Sequence, residues 1–554
     1  MKKLILIAAL ALAPVSAWAK GTVTTADPRA TEAGMEILRA GGTASDASMA
    51  MMLALTVVEP QSSGIGGGGF LVYHDTKSGS TATIDGRETA PSSATPTLFL
   101  KTDGTPMSFR NAVPGGRSVG IPGNVALMAK AHQKWGKLKW AKLFEPAIRL
   151  AENGYVVTPR LADSMKSFNP LWNDFPATKA IYWQDGRPKV AGETVKNPAL
   201  AAFLRTLAKR GAKAFYSGQN AQAIIDAAGK SVRNPTVITK ADITSYKAKD
   251  RPAVCTTYRV YKLCGMGPPS SGATTVFQIL GMVERFDLKA MGKDNAKSWH
   301  LIAEAMQLAY ADREKYLGDA DFISVPVTGL LDKNYIANRS ALISETTSLP
   351  AYAAGTPPDA PVRTAGISGE VSGTTHFVAV DDSGNVATYT STVESAFGSQ
   401  LVANGYILNN ELTDFTWVPE KDGAPVANRV QAGKRPVSSM SPTIVFNAKG
   451  EAIFTVGAAG GKTIIMQVAK TLIAHLDWGL PVDEAITTSN LYFRGQGLII
   501  EANTPLAAMA GPLAAFGQTV VQSDPFGKAN AAARVGDKWQ GAADPRSEGA
   551  DATE

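Results

Sequence analysis

The sequence has 554 residues, with 55 Lys and Arg against 48 Asp and Glu for a formal charge of +7, and is 45% hydrophobic. That balance excludes a generally disordered chain, and no Lys/Arg run extends beyond pairs such as Lys434-Arg435, so nucleic-acid binding finds no support. The length is ample for a large core, built as two domains or as one large α/β unit.

Lys2-Lys3, an apolar run over residues 4–15 and Ala17-Trp18-Ala19 read as a secretory signal peptide over residues 1–19, which directs a bacterial protein to the periplasm or the medium. The next apolar block, 49–58, is too short for a membrane span and ends at Glu59-Pro60, so a soluble exported protein is expected. Residues 28–40 carry a helical pattern closed by Gly41-Gly42, and 45–58 carry a second one. A glycine-rich loop at 62–69 leads into a strand at 70–74; because no helix follows it, it is no dinucleotide fingerprint. From 125 to 307 helical patterns alternate with Pro and Gly breaks, without a repeat of fixed period.

Cys255 and Cys264, the only cysteines, flank an alternating segment able to fold back as a hairpin. In an oxidising compartment a disulfide is expected over two free thiols; a zinc site lacks ligands, and a catalytic cysteine is a remote third option. Residues 349–364, rich in Pro, Ala and Gly, read as an extended exposed linker, free to move away if the chain is cut downstream.

Just beyond it stands Gly373-Thr374-Thr375-His376. If the Gly373-Thr374 bond is cut, Thr374 carries a nucleophilic hydroxyl and, on the same residue, an α-amine of pKa ~7.7–8.0 that can act as its base. On this stretch alone the plainer reading, two threonines opening a β-hairpin over 375–380 and 386–392, is favoured. His376 is two positions along the same strand and projects to the same face as Thr374, which suits a structural or orienting role. Strands follow at 443–446 and 452–456, then Gly457-Ala458-Ala459-Gly460-Gly461 and a helix over 462–476. A phosphate loop fails here, because Val456 stands where its first glycine is required. An anion or oxyanion site at the helix N-terminus and a tight strand-to-helix turn remain equally good readings.

Together, Val58-Glu59-Pro60-Gln61 with the glycine loop, Asp85-Gly86-Arg87-Glu88-Thr89-Ala90-Pro91, Pro268-Pro269-Ser270-Ser271-Gly272, Ala309-Tyr310-Ala311-Asp312-Arg313, Thr374-Thr375-His376, Leu408-Asn409-Asn410-Glu411-Leu412-Thr413-Asp414-Phe415, Arg435-Pro436-Val437-Ser438-Ser439-Met440-Ser441-Pro442 and Gly460-Gly461 form an ordered set. It resembles the γ-glutamyltranspeptidase family of N-terminal-nucleophile hydrolases over nearly the whole mature chain. The resemblance implies an α/β fold, an αββα sandwich, whose precursor cuts itself between Gly373 and Thr374. The products are a large subunit, residues 20–373, and a small catalytic subunit, residues 374–554, which stay associated.

By the same resemblance Thr374 attacks the γ-carbonyl of a glutamyl donor such as glutathione, and water or an amino-acid or peptide acceptor resolves the acyl-enzyme. Arg87, Ser438 and Ser439 match positions that hold the substrate α-carboxylate, and Glu394, Glu411 and Asp414 match those that receive the α-ammonium. The site is thus expected to read a zwitterion, with opposite charges at opposite ends. Thr392 matches a hydroxyl beside the nucleophile, and Gly460 and Gly461 match the oxyanion hole. No metal and no organic cofactor is expected, nor is a nucleic-acid partner. Asp312-Arg313 reads as a buried structural ion pair. Over 417–433 the chain has no tyrosine, whereas many members carry a tyrosine lid there, so a lid is expected to be shorter, gated by Trp417, or absent. A cephalosporin or glutaryl acylase of the same architecture is the alternative, and a processed but inactive binding protein is a third.

Overall fold

The computed structural model describes residues 21–168, 170–367, 369, 373–494 and 497–554, so the expected signal peptide lies outside the described residues. Two antiparallel sheets face each other. The first is built, in chain order, from β1 (Thr22–Thr25), β2 (Gly68–Asp75), β3 (Ser80–Asp85), β4 (Lys249–Arg251), β5 (Thr374–Val380), β6 (Val386–Thr392) and β7 (Ala550–Thr553), arranged β7-β1-β5-β6-β2-β3-β4. The second contains β8 (Val254–Tyr258), β9 (Tyr261–Gly265), β10 (Thr443–Phe446), β11 (Ala452–Ala459), β12 (Lys528–Val535) and β13 (Lys538–Ala543), arranged β13-β12-β11-β10-β9-β8.

The interior strand β5 is buried on both faces, and its residues sort by period two. Phe377 and Ala379 join the core formed with helices α1 (Pro28–Arg39) and α2 (Ala44–Val58). Val378 and Val380 join the core shared with the second sheet and with α3 (Gly272–Val283), α4 (Ala296–Tyr316) and α5 (Thr463–Leu476). Helices, two sheets and helices thus stack as the expected αββα sandwich. α1 starts where Asp27 accepts from the Arg29 N–H with Pro28 in the first turn, and α2 starts on a Thr43/Asp46 capping box. Every residue of the predominantly apolar α2 is buried, its Ser45, Asp46, Ser48 and Thr56 included.

The hairpin strands β8 and β9 pair Cys255 opposite Cys264, and the two are joined in a disulfide. It lies in the second sheet's edge hairpin, away from Thr374, and closes a short loop, so it should contribute at most ~3 kcal/mol. Unreduced protein is expected to show no alkylatable thiol by mass spectrometry; two free thiols in native protein would contradict the pairing.

Two expectations need correction. The glycine stretch after 456 does not leave the sheet at once: β11 runs through Ala459, because Gly457 to Ala459 continue the pairing with β12. The segment 349–364 has almost no regular structure and Val362 is fully exposed, yet it is pinned. The Gly355 N–H donates to Asp312 Oδ1 (2.7 Å), and Tyr316 donates to the Gly355 carbonyl. At the rim of the first sheet Gly21 and Glu554 exchange both main-chain hydrogen bonds, at 3.1 and 3.0 Å. No helix among the described residues is long and apolar enough to cross a membrane.

Candidate active site

Thr374 is the first residue of β5 and Thr392 the last of β6, directly opposite in the register. Thr374 donates its hydroxyl to Thr392 Oγ1 (3.2 Å), and Thr392 in turn donates to the Gly373 carbonyl oxygen (3.0 Å). Thr392 Oγ1 also accepts from the Glu394 N–H at 2.8 Å, which fixes its orientation. The hydroxyl chain therefore ends on the carbonyl of the bond expected to break. Only glycine fits before Thr374: a Cβ on Gly373 would stand 2.0 Å from the Glu394 carbonyl oxygen.

Above this chain lies a pocket lined by Arg87, Thr374, Thr392, Glu394, Glu411, Asp414, Ser438, Ser439 and Gly461, with Met440 and Ile464 as its apolar part. Nearly all the expected side chains are thus brought together. The free space is about 10 Å³, room for one water, because Arg87 is folded onto its neighbours. Its guanidinium bonds Glu411 and Asp414 (2.5 Å) and donates to the carbonyls of Pro436 and Val437. Opposite charges at opposite ends is therefore the wrong geometry, since cation and anions are in contact. An α-amino acid, the expected ligand, carries its ammonium and carboxylate on one carbon, so groups that would read them must also adjoin.

Among the described residues that line the pocket, carboxyl groups outnumber cations. Beside Glu394, Glu411 and Asp414 stands Glu88, fully buried, whose two carboxyl oxygens meet no N–H or O–H donor among the described residues. Burial pushes Glu88 and Glu411 above the usual carboxylate range, with Arg87 opposing, and the two groups adjoin.

Ser438 and Ser439 sit on the loop before β10. The Ser438 carbonyl accepts from the N–H and hydroxyl of Ser271, and Ser439 Oγ accepts from Arg313 at 3.0 Å. Arg313 corrects the expected Asp312-Arg313 pair. Asp312 pairs with Arg339 (3.3 Å), while Arg313 turns to Ser271, Ser439 and its other neighbour in sequence, Glu314. Glu314 also binds Lys462, next to Gly461.

Gly460 (φ 135°) and Gly461 (φ 59°) turn the chain from β11 into α5, in backbone regions that favour glycine. Gly461 lines the pocket, and Gly460 is its neighbour outside the lining. Among the described residues neither N–H donates a recorded hydrogen bond, leaving two donors at a helix N-terminus. Trp417 is outside the lining: it stacks on Phe99 and Phe109 at ring distances of 5.0 and 6.1 Å and donates to the Thr413 carbonyl. It anchors the 410–417 loop.

His376 is fully buried between the sheets, bridged by Thr390 (2.8 Å) and Thr388 (3.2 Å) and packed on Gly457. Burial holds its imidazole down to about 3, so the fold favours the neutral ring. Its contribution to stability is full above the unfolded value near 6.5 and is lost as pH falls from there towards 3, at up to about 1.4 kcal/mol per pH unit. His376→Asn should therefore flatten the dependence of the unfolding midpoint between pH 6.5 and 4 and leave the pH-rate profile in place. A displaced pH-rate profile with an unchanged stability slope would make His376 a base instead.

Sequence reasoning missed a buried group on the other side of β5. Thr375 donates to Glu59 (2.5 Å), Glu59 pairs with Lys528, and Lys528 reaches Thr375 and Ser62 at 3.3 Å. The only signal was Glu59 inside the Val-Glu-Pro-Gln block; Lys528 lies far along the chain, unmarked by any motif.

The γ-glutamyltranspeptidase family model matches residues 30–553. The chain belongs to the γ-glutamyltranspeptidase family. Its relatives include the glutathione hydrolase proenzyme of Bacillus subtilis (strain 168), 36% identical over 484 residues, with 85% of this chain and 80% of that protein covered. The glutathione hydrolase proenzyme of Escherichia coli (strain K12) is 37% identical over 477 residues, at 84% and 80% coverage. Among solved structures, a cephalosporin acylase from Bacillus halodurans superposes with a TM-score of 0.85 at 26% identity, covering 96% of both chains. The γ-glutamyltranspeptidase sandwich is therefore shared with acylases, and substrate choice has to come from the pocket.

Proposed function

We propose that this chain is a γ-glutamyltransferase and glutathione hydrolase that matures by cutting itself between Gly373 and Thr374 and works through the Thr374 freed by that cut. The observation that carries the reading is the hydroxyl chain from Thr374 through Thr392 to the Gly373 carbonyl, set beneath one guanidinium and an excess of carboxyl groups. In maturation Thr374 Oγ1 adds to the Gly373 carbonyl carbon while Thr392 donates to its oxygen. The C–N bond breaks and its nitrogen takes the proton from Oγ1. Water then cleaves the resulting ester, leaving a Gly373 carboxylate and a Thr374 amine.

In turnover that amine takes the hydroxyl proton as Thr374 Oγ1 attacks the γ-carbonyl of the donor. The Gly460 and Gly461 N–H groups stabilise the oxyanion, and the proton passes to the leaving nitrogen. Water or an amine acceptor then resolves the acyl-enzyme. Arg87 with Ser438 and Ser439 receives the α-carboxylate, and Glu394, Glu411 and Asp414 receive the α-ammonium. The products of the cut are residues 20–373 and 374–554, and residues 1–19 direct export to the periplasm or beyond. The glutaryl acylase reading has the acylase likeness in its favour, but it leaves that ammonium site without a ligand.

Kinetics on glutathione, with and without an added dipeptide, test the proposal. Glutamate release alone, and γ-glutamyl dipeptide formation when acceptor is present, are expected; release of neither product from matured protein would refute it.

A further inference from the structure

Thr374 is flanked by two hollows. On its Arg87 side is the glutamyl pocket. On the Gly373 side lies a polar cavity of about 480 Å³, walled partly by the helix Pro159–Phe168. Arg160, Asp163, Ser164 and Ser167 of that helix line the cavity, a spacing that puts them on one face, while Leu161 and Met165 are buried on the other. A polar helical face turned onto a cavity beside a scissile bond calls for a polar occupant.

The charged groups of the cavity differ in their engagement. Arg546 is held by Asp544 and Glu501, and Glu548 accepts from the Arg160 main-chain N–H at 2.9 Å. The guanidinium of Arg160, half-buried, has no hydrogen bond, ion pair or ring contact among the described residues. Asp163 and Glu548 are the acids of this wall and Arg546 is engaged by Glu501 and Asp544, so the place in the cavity that suits an anion is at Arg160.

The chemistry says which anion. The Thr374 amine must hand its proton to the leaving nitrogen, so that nitrogen lies on the side where Gly373 is now attached. What extends from it enters the polar cavity. When a γ-glutamyl peptide is cleaved, the departing fragment ends in a carboxylate, the planar anion that a guanidinium binds through two parallel N–H donors. We propose that Arg160 is a specificity residue that receives the terminal carboxylate of the leaving peptide. By reversal of the same step it also receives that of an incoming peptide acceptor. This rests on the γ-glutamyl reading given above.

The test compares glutathione with its glycine ethyl ester, which lacks only that charge, in wild type, Arg160→Gln and Arg160→Lys, with processing into two chains as the folding control. Wild type is expected to favour the acid over the ester by about tenfold in kcat/KM, the size of one charge-assisted contact. In Arg160→Gln that ratio should fall to about one, chiefly through KM for the acid, and Arg160→Lys should restore part of it. An acid-to-ester ratio kept by Arg160→Gln overturns the proposal. So does equal use of both substrates by wild type, which needs no variant to fold. A wild type that cleaves γ-glutamyl-p-nitroanilide but shows no preference refutes Arg160 alone, whereas one that cleaves no γ-glutamyl compound refutes the reading beneath it.

Discussion

Thr374→Ala is expected to remain one uncut chain and to lose γ-glutamyl hydrolysis by about 10⁴-fold or more, the scale on which removing a catalytic nucleophile acts. On the proposed mechanism two steps would fail together, because one oxygen would serve both. In the uncut chain Thr374 Oγ1 is one hydroxyl away from the Gly373 carbonyl, and after the cut the same oxygen faces the pocket. Wild type should run as two bands, the smaller starting at Thr374 by N-terminal sequencing. A different new terminus, or a fully active uncut chain, would move the nucleophile elsewhere.

A γ-glutamyl anilide is expected to be strongly preferred over the glutaryl anilide that lacks the α-amine. Three carboxyl groups line the pocket against the single guanidinium of Arg87, and the free space is too small for a ligand unless Arg87 lets go of Glu411 and Asp414. The α-carboxylate can take over Arg87, and the α-ammonium then takes the guanidinium's place beside Glu411 and Asp414. Leaving one member of a buried charge pair unmatched costs ~2–5 kcal/mol, roughly thirty- to several-thousand-fold in kcat/KM. Asp414→Asn should narrow the preference by harming the γ-glutamyl substrate, and Arg87→Lys should also cost activity because the two-pronged contact is lost. Equal hydrolysis of both anilides by wild type would favour the acylase reading.

Much of this site was legible because its parts lie in short contiguous blocks whose spacing survives folding. The strands on either side of residues 381–385 follow from alternation and turn residues, and their register alone sets Thr374 against Thr392. The disulfide follows for the same reason. What sequence could not supply was relation in space. That Arg87 touches Glu411 and Asp414 depends on residues more than 300 positions apart. That Arg313 serves Ser271 and Ser439 rather than Asp312 depends on segments distant in the chain, and Trp417 had its partners in Phe99 and Phe109, which no local pattern connects to it. Lys528, buried with its ammonium pushed down to about 8 by desolvation, was hidden in an otherwise Ala-rich strand.

The reciprocal hydrogen bonds of Gly21 and Glu554 place the two outer ends of the sandwich side by side. A gene reordered to encode 374–554, a short Gly/Ser bridge and then 21–373 would keep every strand pairing and deliver Thr374 at the start of its own reading frame, after trimming of the initiator methionine. Such a circular permutant would be born with its amine free. On the proposed mechanism, mutations that block self-cleavage and mutations that block turnover would then become distinguishable phenotypes.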